Sequence, residues 1–258
     1  MLANSEKSIA DSLEVNKRLL PHMPFLLQDL WVLGSSADQI IEVVGSLKSL
    51  SPLKKILDIG CGKGAVSIQL VARYGFQAVG IDAMSPFLEE AEKKGSERNV
   101  SHLCQFINQD IREYVSNDHD YDLVILAALG GIFGSFQNTI AKMRTQVHSG
   151  GFMIIDDGYL KKGNHLNRKS YGHYKNYDNT IWELTFFGDR IINQVDTSEV
   201  SKNINREYLD LIKRRGEELI SKHRELKKDI NDYIRLQEEE CDVLENDIEG
   251  ALWVIRKR

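Results

Sequence analysis

The sequence predicts an α/β fold: a doubly wound, seven-stranded, mostly parallel sheet with helices on both faces. Three observations carry that expectation. The segment Lys55-Ile56-Leu57-Asp58-Ile59-Gly60-Cys61-Gly62-Lys63-Gly64 reads as a short buried strand that runs into a glycine turn and then a helix. Gln77-Ala78-Val79-Gly80-Ile81-Asp82 is a second apolar run, ending in a carboxylate 18 residues after Gly64, the length of a strand-helix-strand unit. Residues 53 to 156 keep alternating short apolar runs with helical patterns, as a parallel sheet covered on both faces requires.

The elements follow in order. Residues 1–50 read as a helical amino-terminal cap, with Leu19, Leu20, Phe25, Leu26, Leu27, Leu30 and Trp31 clustered around Pro21 and Pro24. Ser36 and Gln39 have the spacing of a capping box that opens a helix through Leu47. This cap is expected to cover the sheet and to form part of a pocket roof. The five strands of the first half are read at Lys55 to Ile59, Ala78 to Asp82, Cys104 to Asp110, Leu123 to Ala128 and Phe152 to Asp156. Ser85-Pro86 reads as the N-cap and first-turn proline of a helix from Phe87 to Lys94, and Gly150-Gly151 as the close of the helix before strand five.

Residues 157–180 change character, becoming aromatic, basic and amide-rich. With hardly an aliphatic side chain, the segment is not expected in a core, and its place after a strand's carboxyl end suits a substrate lid. Trp182 to Phe187 suggests a helix, Arg190 to Asp196 a sixth strand and Ala251 to Ile255 a seventh. Residues 199–248 between them have apolar positions three and four apart, a helical insertion before the last strand. A hairpin packed on its own domain is the simpler reading of these helices, and a homodimer through them the other. The organisation is therefore a cap over 1–50 and one main domain over 51–258.

Composition narrows the function. A chain of 258 residues suits one α/β domain with additions rather than two full domains. A net charge of −5 gives no general attraction to a polyanion, so nucleic acid is a disfavoured partner. Cys61, Cys104 and Cys241 are widely spaced, which suggests neither a disulfide framework nor a zinc site and fits a cytoplasmic location. The amino terminus lacks the apolar run of a signal peptide, and no stretch is long and apolar enough to span a membrane.

The chemistry sits around the glycine turn. Gly60, Gly62 and Gly64 allow a sharp turn and let a ligand lie against backbone N–H groups at a helix N-terminus. Asp82, at the carboxyl end of the second strand, is placed to accept ribose hydroxyls. Asp58 precedes the first glycine by two residues; a negative charge there suits an amino or sulfonium group and repels a pyrophosphate, which argues against a nicotinamide oxidoreductase.

These residues have a family counterpart. LDIGCGKG resembles the first motif of class I S-adenosylmethionine-dependent methyltransferases, small-molecule type, with GIDAM in place of the second, and the order of elements through residue 156 is similar. The resemblance implies a Rossmann-like fold and S-adenosyl-L-methionine as cofactor. It implies that Gly60, Gly62 and Gly64 cradle its methionine part while Asp58 orders the loop or reaches the ligand amine. Asp82 takes the ribose and Ala83 and Met84 wall the adenine. Asp110 and Ile111 meet the adenine amino group and ring, and Ala127, with Ala128, leaves room for the transferred methyl. The expected reaction is in-line methyl transfer to a small-molecule acceptor. A protein or RNA methyltransferase and a non-catalytic S-adenosylmethionine-binding protein are the alternatives.

Two further readings concern the lid. Asp156-Asp157 invites a magnesium site, but the acid that related catechol-type enzymes place after strand four is replaced by Ala127-Ala128-Leu129, so no metal is expected. His165, His173 and Tyr159 are candidate catalytic residues, although methyl transfer from a sulfonium needs positioning and water exclusion more than a dedicated base.

Overall fold

The computed structural model describes residues 9–10, 13–47, 53–161, 166, 168 and 171–258. Seven strands form one sheet: β1 Lys55–Ile59, β2 Gln77–Asp82, β3 Cys104–Asn108, β4 Tyr121–Ala127, β5 Val147–Leu160, β6 Arg190–Asp196 and β7 Ile248–Arg256, in the order β3-β2-β1-β4-β5-β7-β6. β1 to β5 pair in parallel, and β7 runs antiparallel between β5 and β6. The strand order reverses between β1 and β4, the place where an open α/β sheet leaves a crevice for ligands.

The helices are α1 Met23–Leu26, α2 Ala37–Leu47, α3 Ala65–Tyr74, α4 Ser85–Glu97, α5 Ile111–Tyr114, α6 Phe136–Arg144, α7 Tyr177–Thr185, α8 Ser198–Lys222 and α9 Lys227–Asn246. The period of two along each strand divides the core. Ile56, Leu123, Ile125, Ile154 and Val254 face α2 and α3, whereas Leu57, Val124, Leu126, Ile155 and Trp253 face α6. The central strands β1, β4, β5 and β7 are apolar on both faces because each is covered on both, whereas the edge strand β6 is largely exposed.

A third apolar body lies off the sheet. Leu19, Met23, Leu26 and Leu27 pack with Ile212 and Leu219 of α8, Ile230 and Tyr233 of α9, and Phe87 of α4. The C-terminal hairpin therefore packs on its own domain, through the cap. Among the described cap residues, α2 with Trp31 and Val32 covers the sheet, and Leu19, Met23, Leu26, Leu27 and Leu30 pack on the hairpin instead. Among the described residues, no helix is long and apolar enough to cross a membrane.

Several local expectations are corrected. Asp110 lies beyond β3, which stops at Asn108. Ser85 is the first residue of α4, whose N-cap is Met84; Pro86 still falls in its first turn, where a missing N–H costs nothing. Gly150 and Gly151 lie inside β5, in an irregularity where β4 passes from Tyr121 to Leu123 while β5 passes from Val147 to Phe152. Gly150 there has φ +84°, a conformation that suits glycine. The Ser36 capping box does not form. Ser36 N–H donates to Asp156 Oδ2 at 2.6 Å, and Gln39 Oε1 is buried without a partner.

The segment after strand five differs most. β5 continues to Leu160, so Asp157 to Leu160 are strand, and α7 opens at Tyr177 with Asn176 as its side-chain cap. Tyr171, His173 and Tyr174, expected outside any core, are 7%, 5% and 8% exposed. The two tyrosines bury their rings against Leu160 and Ile248. Aromatic side chains with one polar end can enter a core alongside a few aliphatic neighbours, and this segment does so.

Candidate functional site

The site is built on the turn between β1 and α3. Gly60, Gly62 and Gly64 have φ of +70°, +52° and +69°, so all three are left-handed, the conformation glycine adopts without strain. Gly60 and Cys61 N–H both donate to Ile81 O, at 2.8 and 3.0 Å, which ties the turn to the end of β2. Close approach matters as much as conformation. A Cβ on Gly60 would come within 2.4 Å of Leu129, and one on Gly62 within 2.9 Å of Leu33. The loop after β4 and the cap thus meet over the glycine turn, at the sheet's switch point.

Asp82 ends β2 beside this turn. Its Oδ2 accepts the Gly62 N–H at 2.9 Å and its Oδ1 the Met84 N–H at 2.8 Å. A carboxylate offers about four lone-pair positions. The Ala83 N–H faces the carboxylate as well, so the turn orients it through three backbone groups and leaves acceptor capacity for a hydroxyl. Ala83 and Met84 continue from it, both half-buried.

Asp58 lies on the α3 side of β1 and is buried. Its Oδ2 accepts from Ser67 Oγ at 2.5 Å, in the first turn of α3. It therefore fixes the strand to the helix across the glycine turn, the loop-ordering role of the two read from the sequence. Burial pushes its carboxyl up to about 6, against which the Ser67 bonds act, and Asp82 adds repulsion. Burial also raises Asp82 itself. The Cys61 thiol between them is pushed well above its ordinary range by burial and by both acids, so it is an inert space filler. Lys63, within the turn, gives its charge to Glu90 at 2.8 Å. Two buried carboxylates side by side favour a ligand that brings positive charge.

Asp110 is the N-cap of α5, accepting the Arg112 N–H at 2.9 Å and pairing with its guanidinium at 2.6 Å. Arg112 lowers its pKa and keeps it ionised. Ile111 is buried in the sheet's second core. Ala127 closes β4, and Ala128, with φ +55°, turns the chain out of it, its N–H donating to Asp156 O at 3.0 Å.

The two acids after strand five do not converge. Asp156 takes the Ser36 N–H on one face of β5, and Asp157 lies on the other, 3.5 Å from His173 Nε2. Tyr159 shares the face of Asp157 but packs on Tyr177 and Trp253, with ring centroids 5.0 and 6.4 Å away, which makes it part of an aromatic stack. His165 lies outside the described residues. Among the described residues, no group of three or more His, Cys, Asp or Glu is placed to hold a metal ion.

The sequence marks the cap as part of a roof, but not the contacts that fasten it. Trp31 Nε1 donates to Lys63 O at 3.0 Å, Lys63 Nζ to Leu27 O at 2.8 Å, and Gly34 N–H to the Tyr208 hydroxyl of α8 at 2.8 Å. Ser67 had a local signal, a hydroxyl in the first turn of the helix after Asp58. Tyr208 had none, since its contact spans 174 residues.

Known proteins resemble this chain in sequence and in fold. Residues 56–151 match a family model described as a methyltransferase domain. Over those residues the chain carries a methyltransferase domain. A methyltransferase crystal structure from Geobacter sulfurreducens in complex with S-adenosyl-L-homocysteine shares the fold over 91% of this chain and 97% of its own, with a TM-score of 0.75 at 16% identity. The uncharacterized protein YjhP of Escherichia coli is 28% identical over 119 residues, 46% of this chain and 48% of its own. Its X-ray structure has a TM-score of 0.75, covering 91% of this chain and 98% of that one at 14% identity. A malonyl-[acyl-carrier protein] O-methyltransferase of Priestia megaterium is 35% identical over 101 residues, 39% of this chain and 35% of its own. The chain spans about half or less of the length of these curated relatives.

Proposed function

We propose that this methyltransferase binds S-adenosyl-L-methionine in the crevice between β1 and β4 and methylates a small-molecule acceptor. The observation that carries the reading is the carboxylate of Asp82, held at the end of β2 beside the glycine turn by backbone N–H groups of Gly62, Ala83 and Met84. That carboxylate takes the ribose hydroxyls. Gly60, Gly62 and Gly64 lie against the methionine portion, where any side chain would intrude. Asp58 holds the turn through Ser67, and its charge with that of Asp82 favours the cationic ligand over a pyrophosphate. Ala83, Met84 and Ile111 wall the adenine, and Asp110, kept ionised by Arg112, accepts from its amino group.

When bound, the cofactor supplies an electrophilic methyl on a sulfonium. The chain's task is to align the acceptor and exclude water. Ala127 ends β4 with a side chain small enough to leave space there, while residues 31–36 of the cap and the loop from Ala128 close over it. The short connection from β5 to α7 is mixed in charge, which suits a small acceptor better than a polymer.

Calorimetric titration with S-adenosylmethionine, S-adenosylhomocysteine and NAD tests the reading. Micromolar binding of the first two, weakened at least 100-fold by Asp82→Ala, supports it. Binding of NAD alone, or of none of the three, overturns it.

A further inference from the structure

Cationic side chains gather at the end of the sheet away from the glycine turn. Arg190 opens β6, Arg256 closes β7, and Lys257 and Arg258 follow; with Gly150 and Gly188 they line one cleft. β7 runs antiparallel to β5 and β6, so the cleft lies at the amino ends of the parallel strands, whereas the glycine turn follows the carboxyl end of β1.

The charge of this cleft is not balanced from within. Arg190 and Arg256 are partners across the β6–β7 ladder, so two guanidinium side chains project from directly opposite positions. Like charges so placed destabilise a sheet, and an anion from outside relieves them. Asp189, the acid next to Arg190, is 3% exposed; it pairs with Arg144 of α6 and accepts the Arg258 N–H at 3.0 Å. Lys257 gives its ammonium to the carbonyls of Arg144 and Val147, at 2.7 and 2.6 Å. Arg256 donates Nε to Gly150 O at 3.2 Å. Arg190 and Arg258 are exposed, and among the described residues their guanidinium groups have no ion pair or hydrogen bond.

An apolar row adjoins the cleft. Trp182, Phe186 and Phe187 are 57%, 46% and 39% exposed, and successive ring centroids lie 5.1 Å apart. The row starts on α7 and ends at Gly188, where an added Cβ would lie 3.7 Å from Arg258 Nη1. A contiguous exposed row of large rings marks a docking surface. Neighbouring rings meet at 78° and 83°, so they share no plane on which successive bases of a nucleic acid could stack. Phosphates above and hydrocarbon below are what a phospholipid surface offers.

We propose that this corner of the molecule docks on an anionic phospholipid bilayer. Arg190, Arg256 and Arg258 take lipid phosphates in the cleft, and Trp182, Phe186 and Phe187 enter the headgroup layer. The chain's net charge of −5 gives the molecule as a whole no attraction to such a surface, so this corner sets the orientation. The inference does not depend on the cofactor reading, since the glycine turn lies at the other end of the sheet.

Co-sedimentation of the full chain with phosphatidylcholine vesicles, with and without phosphatidylglycerol, tests the proposal. The expected result is binding to the anionic vesicles alone, lost at high salt. Arg190→Glu removes no side-chain bond among the described residues and sets a carboxylate opposite Arg256, so the fold is kept. It should weaken partition by about tenfold or more. Trp253 is buried and Trp31 half-buried, which makes Trp182 the reporter of insertion. Vesicles should shift tryptophan emission to the blue in the parent but not in Trp182→Phe. Equal partition on both vesicle types, no partition at all, a parent-like Arg190→Glu, or a blue shift that persists in Trp182→Phe overturns the proposal. Calorimetric binding of pyrophosphate or single-stranded RNA without vesicle binding would make the cleft a site for soluble polyanions and overturns it too. Affinity for S-adenosylhomocysteine that is equal in the parent and Arg190→Glu shows that the loss is local to this corner.

Discussion

The ammonium of Lys63 is wholly buried against the carboxylate of Glu90, 2.8 Å away. Lys63 lies between the second and third glycines of the turn, and the same Nζ donates to Leu27 O in the cap. One side chain therefore ties the cofactor turn, α4 and the cap together. Lys63→Met removes the charge but keeps the volume, leaving Glu90 without its ammonium and the Leu27 carbonyl with only the Leu30 N–H. Breaking such a pair is expected to cost about 3 kcal/mol. Chemical denaturation should report the loss, and limited proteolysis should show early cleavage before residue 37.

Asp58 gives a pH-dependent prediction. Burial raises it from 3.8 to about 6, so between those values the folded protein holds a proton that the unfolded chain has released. Stability from this group falls as pH rises through that window, and the full penalty is present above it. Asp58→Asn keeps an oxygen for Ser67 and removes the charge. The variant should match the parent at pH 4 and exceed it at pH 7.5, by on the order of 2 kcal/mol. A stability difference that does not change between these pH values would refute the assignment.

The glycine turn separates conformational strain from crowding. Gly60→Ala meets both, a φ of +70° and a Cβ 2.4 Å from Leu129, whereas Gly75→Ala meets only a φ of +72° with nothing within 4 Å. Gly75→Ala should cost about 1 kcal/mol of stability and leave cofactor affinity unchanged. Gly60→Ala should cost more and weaken S-adenosylhomocysteine at least tenfold by calorimetry. Equal effects of the two would mean that no ligand approaches Gly60.

Tyr208 tests whether the C-terminal hairpin serves the site at a distance. Its hydroxyl accepts the Gly34 N–H, next to the Leu33 that covers Gly62. Tyr208→Phe should cost about 1 kcal/mol and weaken S-adenosylhomocysteine several-fold without altering stoichiometry. Tyr177→Phe, which removes an exposed hydroxyl bonded to Gln194, should leave affinity unchanged.

What the sequence revealed follows from how local each signal is. β6 is found over the very residues expected, Arg190–Asp196, and the triple glycine with Asp58 and Asp82 falls where the spacing put it, because strand period and turn chemistry act over a few neighbours. The Ser36 capping box failed for a tertiary reason: Asp156, 120 residues away, supplies a charged acceptor for the Ser36 N–H. His173 looked like one polar loop residue among many. Its burial depends on Tyr171, Tyr174 and Phe136 closing around it, which no periodicity announces. The cover over the glycine turn was invisible for the same reason, being made of Leu33 and Leu129 brought together from separate parts of the chain.

The straps between the cap and the hairpin also set an order of assembly. Gly34 waits for Tyr208, and Asp29 for Arg214 and Arg215, up to 186 residues later. At about 5–20 residues per second of synthesis, that is a delay of roughly 9 to 35 s. Strands β1 to β4 can pair during this interval, but Leu19, Met23 and Leu26 have not yet met α8 and α9. The nascent chain thus carries this apolar segment without the hairpin that packs on it until the hairpin emerges, and that segment is where a chaperone would engage it.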